Sequence, residues 1–348
     1  MRTQLAATSM DIPERGSGRR LHVSAAVSLR VRRLQLRYGR RMRSPPPRID
    51  DGVRWRLTER FGAEAGPWFD ELPAVLSALA ERWQLEFDSL IPRGSMSVVI
   101  RCRMTSGRAA VLKVSPDRTR AANEGAALDR WTTIHTPSVL AVDESVGALL
   151  IEAIEPGTPL VDSPTYPDME SVAELLTSLH TTGVPDPSYP PLSDHIAHLF
   201  NSGTRPYKRR PELVDVVPPK LYERGRQLAT RLVERVSPTA LLHGDLTPNN
   251  ILDGGTERGL VAIDPAPCLG DDLAFEAVDL LFWLADDADL IARRAEQLAP
   301  AINVDARRLL DWCTAFAGMV ALEFAEAPNN PRKRIEALVT LANQAPRR

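Results

Sequence analysis

Cysteine is nearly absent from this 348-residue chain. Its three cysteines, Cys102, Cys268 and Cys313, are an odd number without CxxC spacing, which argues against a disulfide framework and against a cysteine zinc site. A reducing, cytoplasmic setting is the expectation. Long apolar runs are missing too: the longest mainly apolar stretch, Ala315 to Ala325, has 11 residues and carries Glu323, whereas a spanning helix needs about 18 or more. No passage through a membrane is expected. Lysine is scarce, with four residues (Lys113, Lys208, Lys220, Lys333) among 43 basic ones, so arginine serves almost wherever a generic positive charge suffices. What remains is ordinary. Hydrophobic residues make up 43% and charged residues 25%, the balance of a folded globular protein, and the length fits two domains of about 150 residues each.

The net charge of -2 hides an asymmetry. Residues 1–50 hold twelve arginines against Asp11, Glu14 and Asp50, a charge of +9, which leaves -11 for the rest. A basic tail can contact nucleic acid or an anionic membrane, but Tyr38 is the one aromatic there, too few for a stacking platform. A nucleic-acid partner is not expected. Leu21 to Leu29 includes His22, Ser24 and Ser28, too polar for a secretory core despite Arg19-Arg20. Residues 1–49 are therefore read as an unstructured Arg-rich extension, with Met42 nearer the native start.

Patterned sequence begins after Pro45-Pro46-Pro47. Leu72, Val75, Leu76, Leu79 and Trp83 recur at helical spacing. Ser97 to Met104 and Arg108 to Val114 are Val/Ile/Leu-rich runs around Thr105-Ser106-Gly107, which predicts a hairpin. A helix from Pro116 to Trp131 and a second strand pair, Val139–Val142 with Ala148–Ile154, complete a sheet-rich domain over 50–154. Beyond Pro156-Gly157 the period turns helical, at 172–179, 221–236, 273–284 and 306–325, interrupted by brief strands at 251–252 and 260–263. The expected class is α+β, an antiparallel-sheet domain followed by a mainly helical one over 155–348.

The chemistry-bearing residues flank that second, shorter hairpin. His243-Gly244-Asp245 with Asn250 reads H-x-D-x-x-x-x-N leading into an apolar strand, the arrangement of kinase catalytic loops with Gly in place of the usual Arg. Nineteen residues after Asp245, Leu260 to Ile263 deliver Asp264 before Pro265. Phosphoryl transfer needs a carboxylate to take the proton of an attacking hydroxyl and hard oxygen ligands for Mg²⁺. Asp245 suits the first role, Asn250 and Asp264 the second, and His243 is an orienter. Each residue alone fits a turn cap equally well; it is the order and spacing together that favour chemistry. Upstream, Lys113 sits mid-strand in Ala110-Val111-Leu112-Lys113-Val114, where a solvated charge is not expected, and suits nucleotide phosphates with Glu124 as its partner. Their bland alternatives are an edge-strand lysine and a solvated helix face. Gly94-Ser95-Met96-Ser97 has the makings of a phosphate-covering turn without a full G-x-G-x-x-G.

On these residues the chain resembles the aminoglycoside phosphotransferase family, and within it the streptomycin 6-phosphotransferase and hydroxyurea phosphotransferase branch. The resemblance spans about 55 to 325. It rests on Gly66-Pro67-Trp68 with Leu72-Pro73, Arg82-Trp83, Gly94 to Val99, Val111-Leu112-Lys113, His243-Gly244-Asp245, Ala262 to Pro267, Gly270-Asp271 and Phe275 to Asp279. It implies a two-lobed protein-kinase-like fold, ATP as donor with GTP left open, Mg²⁺, and a small-molecule hydroxyl as acceptor, in the setting of antibiotic resistance or secondary metabolism. Residue by residue it implies Asp245 as catalytic base, Asn250 and Asp264 as metal ligands, Lys113, Glu124, Gly94, Ser95 and Ser97 at the phosphates, and Glu152, Ala153 and Ile154 as the adenine-contacting hinge. Asp272 stands where the family commonly has Pro, and the Arg-rich extension has no counterpart.

The excess of negative charge after residue 50 favours a cationic acceptor. Asp271, Asp272, Glu276 and Asp279 are candidates to meet its amino or guanidinium groups, although Asp271 reads more naturally as a helix N-cap. The competing function is a nucleotide-binding regulatory protein of the same fold without transfer activity. The simultaneous presence of Asp245, Asn250, Asp264 and Lys113 speaks against it.

Overall fold

The computed structural model describes residues 45–94, 96–328 and 331–344; most of the Arg-rich extension and Ser95 thus lie outside the described residues. The described chain divides into two compact units, one comprising 45–129 and 138–153, the other 130–137 and 154–344.

The first unit opens with α1 (Asp51–Phe61), capped by Asp50, whose Oδ1 accepts from Val53 N–H at 2.8 Å. α2 (Ala65–Trp83) follows, and its stripe Phe69, Leu72, Leu76 and Leu79 is buried, with Val75 and Trp83 half-buried beside it. That stripe meets one face of a five-stranded antiparallel sheet built from β1 (Leu85–Ile91), β2 (Val98–Met104), β3 (Ala109–Val114), β4 (Val139–Asp143) and β5 (Ala148–Glu152), ordered β1-β2-β3-β5-β4. Alternation along β3 sends Ala110, Leu112 and Val114 into this core. Truncating a fully buried member such as Leu76 to Ala should cost about 2–5 kcal/mol. The opposite face carries α3 (Arg118–Leu128), N-capped by Asp117, with Ala121 and Leu128 packed on Leu149 and Ile151. Lys113 belongs to this second face by parity, so the fold places it under α3 rather than in water.

β1 is absent from the sequence expectation because Glu86 and Asp88 dilute its apolar pattern and a bulge between Phe87 and Ser89 breaks the two-residue period.

The second unit is mainly helical: α4 (Met169–Thr182), α5 (Leu192–Ser202), α6 (Arg205–Arg209) and α7 (Pro219–Val233) precede the strands. Two small ribbons then set the functional loops. β6 (Leu241–Leu242) leads into His243, β7 (Ile251–Asp253) and β8 (Leu260–Ala262) flank the short α8 (Gly255–Arg258), and β9 (Cys268–Leu269) returns to pair with β6. Loops 243–250 and 263–267 are thereby strung between two ladders, each tied at both ends. The expected single helix over 273–284 is two, α9 (Leu273–Glu276) and α10 (Val278–Phe282), separated at Ala277. The break falls where Glu276 turns to bond distant backbone, a non-local demand that helical period does not carry. α11 (Ala288–Ala301), α12 (Ala306–Glu326) and α13 (Arg332–Asn343) complete the unit, with α12 threading the core through Trp312 and Phe316. Among the described residues no helix is long and apolar enough to cross a membrane.

Candidate active site

The catalytic-loop candidates are organised by His243. This side chain is buried, and desolvation pulls its pKa down to about 4 against the raising effect of the Asp264 charge, so the ring is neutral. Asp245 N–H donates to its Nδ1 at 3.3 Å, and its Nε2–H donates to the carbonyl of Ile263 at 3.1 Å. One ring thus ties the residue before Asp264 to the backbone of Asp245. A second tie runs through Asn250: its Nδ2 donates to Asp245 Oδ2 at 2.8 Å and to Asp245 O at 3.0 Å, while Ile263 N–H donates to Asn250 O at 2.8 Å. The β7–β8 register, Ile251 opposite Ala262, brings these two loop ends to one side. Asp245, Asn250 and Asp264 are therefore assembled in a single neighbourhood of this unit.

With its amide nitrogen turned to Asp245, Asn250 presents Oδ1 on the other side of the group, and Asp264 adds a carboxylate from a left-handed backbone (φ 57°). A non-glycine residue held there is uncommon and clusters at functional sites. An amide oxygen and a carboxylate are the hard donors that Mg²⁺ takes, so the residues present fit that ion.

Lys113 and Glu124 meet in the other unit. The Lys113 ammonium bonds Glu124 Oε1, and the two side chains are 8% and 6% exposed. Both bland alternatives fall on this geometry: β3 is central, not an edge, and Glu124 is buried. Val99 lies opposite Lys113 and Val98 opposite Val114, which sets Gly94 and Ser97 at that end of the hairpin. A Cβ on Gly94 would come within 2.2 Å of Ser97 O, so the turn demands glycine, and Ser97 is buried. Glu152 ends β5 with its carboxylate accepting from Ser138 N–H at 3.1 Å and from Ser138 Oγ at 3.2 Å, and Ala153 N–H donates to Ala109 O at 3.3 Å. Ala153 and Ile154 are buried.

Beside Asp245 the helical unit has a small, partly open pocket. Leu199, Phe275, Phe316 and Val320 form apolar walls, and Asp245 and Asp279 contribute carboxylates. Phe316, Val320 and Glu323 follow at spacings of four and three on one face of α12. Burial and then the charges of Asp279, Asp245 and Glu326 push the Glu323 carboxyl well above the ordinary glutamate range. Glu323 was signalled in the sequence as the lone acid of an apolar run.

The other acids of 271–279 have different employment. Asp271 is exposed and accepts from Ser237 N–H at 2.9 Å; the helix N-cap is Asp272, whose Oδ1 accepts from Ala274 N–H. Asp272 Oδ2 also receives Arg308 Nη2 at 2.6 Å and Trp312 Nε1 at 2.6 Å, anchoring α9 to α12 where proline would offer no acceptor. Glu276 touches the pocket, but both its oxygens bond backbone amides: His243 N–H at 2.8 Å and Gly244 N–H at 2.9 Å. Desolvation raises its pKa to about 7, against the lowering effect of those two bonds. Of the four, Asp279 lines the pocket and is half-buried.

Residues 82–327 match the family described as aminoglycoside/hydroxyurea antibiotic resistance kinase. The chain belongs to this family. Streptomycin 6-kinase of Streptomyces griseus is 25% identical over 280 residues, covering 77% of this chain and 87% of that protein. Hydroxyurea phosphotransferase of Kitasatospora aureofaciens is 29% identical over 259 residues, covering 73% of each. Among solved structures, choline kinase LicA from Streptococcus pneumoniae superposes with a TM-score of 0.54 at 12% identity, over 79% of this chain and 98% of that one, which shows the two-lobed kinase-like α+β fold. As a family member the chain is a phosphotransferase with a hydroxyl acceptor on a small molecule, and its donor is a nucleotide.

Proposed function

We propose that this kinase transfers the γ-phosphoryl group of MgATP to a hydroxyl of a guanidinium-bearing aminoglycoside of the streptomycin type. The observation that carries this reading is the pairing of two carboxylates on one apolar-walled pocket: Asp245 and Asp279 line it, and Glu323, on the α12 face that carries Phe316 and Val320, has its proton affinity raised by burial first and then by both of their charges. Like charges held together cost free energy that a bound cation relieves. A small neutral acceptor such as hydroxyurea would gain hydrogen bonds but no ion-pair attraction from this arrangement. The three cysteines are free and buried, in keeping with a cytoplasmic enzyme that needs no oxidised pairs.

In this reading Asp245 accepts the proton that the acceptor hydroxyl gives up as its oxygen bonds the γ-phosphorus, and the bond from phosphorus to the ADP oxygen breaks. His243 and Asn250 hold Asp245 in place, the first through its backbone, the second through its carboxylate. Lys113, steadied by Glu124, binds nucleotide phosphate oxygens. Asn250 and Asp264 would hold Mg²⁺, which when bound would supply positive charge against nucleotide phosphate. Gly94, Ser95 and Ser97 would cover the phosphates, and Glu152 to Ile154 would take the adenine.

The test is a panel of acceptors, streptomycin, hydroxyurea and several amino sugars, incubated with the full chain and MgATP or MgGTP, with product masses recorded. Streptomycin should gain a phosphoryl group. Asp245→Asn should lower kcat by about 10²–10⁴-fold while MgATP still binds. Phosphorylation of hydroxyurea but not of streptomycin, or full turnover by the Asp245 variant, would overturn the respective assignment.

A further inference from the structure

The chain between β1 and β2 is held by side chains that belong to neither strand. Arg56, on α1, donates through Nη2 to the carbonyl of Pro92 and through Nε to the carbonyl of Gly94 at 3.3 Å. Two residues further on, the carbonyl of Met96 accepts from Ser115 Oγ at 2.7 Å, and that hydroxyl accepts in turn from Asp117 N–H at 3.1 Å. Alternate carbonyls, those of residues 92, 94 and 96, are therefore each engaged by a donor from this same unit. Ser115 follows directly on β3, the strand of Lys113.

α1 is a firm support for such a latch. Val53 and Leu57, on either side of Arg56 in sequence, are 1% and 0% exposed, and the Arg54 guanidinium carbon lies 4.6 Å from the centroid of the Phe69 ring on α2. An arginine on a helix surface is ordinarily solvated or paired with an acid one turn away. Arg56 is half-buried, and its planar fork reaches two main-chain oxygens that lie 36 and 38 residues further along the chain. The helix that carries it precedes the stretch 82–327 matched to the family.

The orientation of these peptides matters for an anion. Phosphate is attracted by backbone N–H groups and repelled by carbonyl oxygens, so each carbonyl drawn to a donor on the protein is one that no longer opposes a phosphate. Gly94 is also the position where a Cβ would come within 2.2 Å of Ser97 O, which leaves its peptide bare for close approach.

We propose that Arg56 is a positioning residue for the nucleotide: from α1 it holds the Pro92 and Gly94 carbonyls, so that Gly94 meets the donor's phosphates with its N–H. The inference rests on the reading that Gly94 lies at the phosphates. Arg56 acts on the phosphate end of the nucleotide through the backbone, so its loss should weaken MgATP and spare a ligand that has no phosphate. Met keeps the apolar stem and removes the donors. Lys keeps one charged donor without the fork.

The experiment measures MgATP and adenosine affinity by calorimetry on the full chain and its Arg56→Met, Arg56→Lys and Gly94→Ala variants. Arg56→Met should weaken MgATP about tenfold, the loss expected for charge-assisted hydrogen bonds, with adenosine affinity unchanged and part of the loss regained in Arg56→Lys. Unchanged MgATP affinity in Arg56→Met would overturn the inference, as would MgATP and adenosine weakening together in both Arg56 variants, the mark of a merely structural arginine. Should the Met variant fail to fold, the Lys variant decides by the same split between the two ligands. Gly94→Ala separates the inference from the reading beneath it. MgATP weakened by Gly94→Ala but not by Arg56→Met keeps Gly94 at the phosphates and removes Arg56 from the account. MgATP indifferent to Gly94→Ala takes Gly94 away from the phosphates, and the inference falls with that reading.

Discussion

Three carboxylates within one unit behave differently because their surroundings do. Asp245 is half-buried and hydrogen-bonded by Asn250, Glu323 is raised by its acidic neighbours, and Glu276 is buried among backbone amides. Glu276 has a consequence for stability. Its ordinary pKa of 4.5 rises to about 7 in the folded chain, so the native state binds this proton more tightly than the unfolded state. Below pH 4.5 both states are protonated and the group is neutral in the balance. As pH climbs through 4.5 to 7 the native state loses stability through this group, by roughly 3 kcal/mol in full above the window. Glu276→Gln lacks that dependence. Urea unfolding of the two proteins should therefore show the wild type losing ground against the variant as pH rises from 4.5 to 7. A difference that stays flat across the window would show that Glu276 titrates normally.

At the scale of elements, β3 and α3 together turn a lysine and a glutamate into a buried pair, and the pair separates structural from functional roles. Removing Lys113 alone takes from the buried Glu124 the ammonium it bonds, a loss of about 3–5 kcal/mol. Lys113→Met should lower the free energy of unfolding by that amount, while the double variant Lys113→Met/Glu124→Gln should recover much of it, since a neutral pair of similar volume packs without a desolvated charge. MgATP affinity should fall in both. Nucleotide binding that returned with stability in the double variant would mean the pair is structural only.

The same elements show what was legible in sequence. The β2–β3 and β4–β5 hairpins were visible because their apolar runs are bounded by glycine and polar turns, and Lys113 stood out as one of four lysines. The His243-to-Asn250 spacing and Asp264 were visible because they lie close along the chain. β6 and β9 were not, since two-residue strands have no period to read. Glu276 was noticed as an acid but assigned to the acceptor, and His195 was not singled out. Their partners lie 32 and 49 residues away in sequence, and only the folded backbone reveals that both converge on Gly244.

Over the whole molecule, charge is distributed as unevenly as function. Residues beyond the first fifty carry -11, and Asp245 and Asp279 bring part of that excess to the pocket. A field of one sign raises the local concentration of an oppositely charged acceptor, and salt weakens it as the screening length falls from about 30 Å at 0.01 M to about 3 Å at 1 M. Raising ionic strength across that range should therefore raise KM for streptomycin several-fold and leave kcat nearly unchanged, because Asp245 acts on a hydroxyl already bound beside it. Hydroxyurea, being neutral, should show no such trend in any binding it has. Asp279→Asn should raise KM for streptomycin at low salt and flatten the salt dependence together, since both effects arise from the same carboxylate. A KM indifferent to salt in the wild type would mean that shape and hydrogen bonds, not the negative field, select the acceptor.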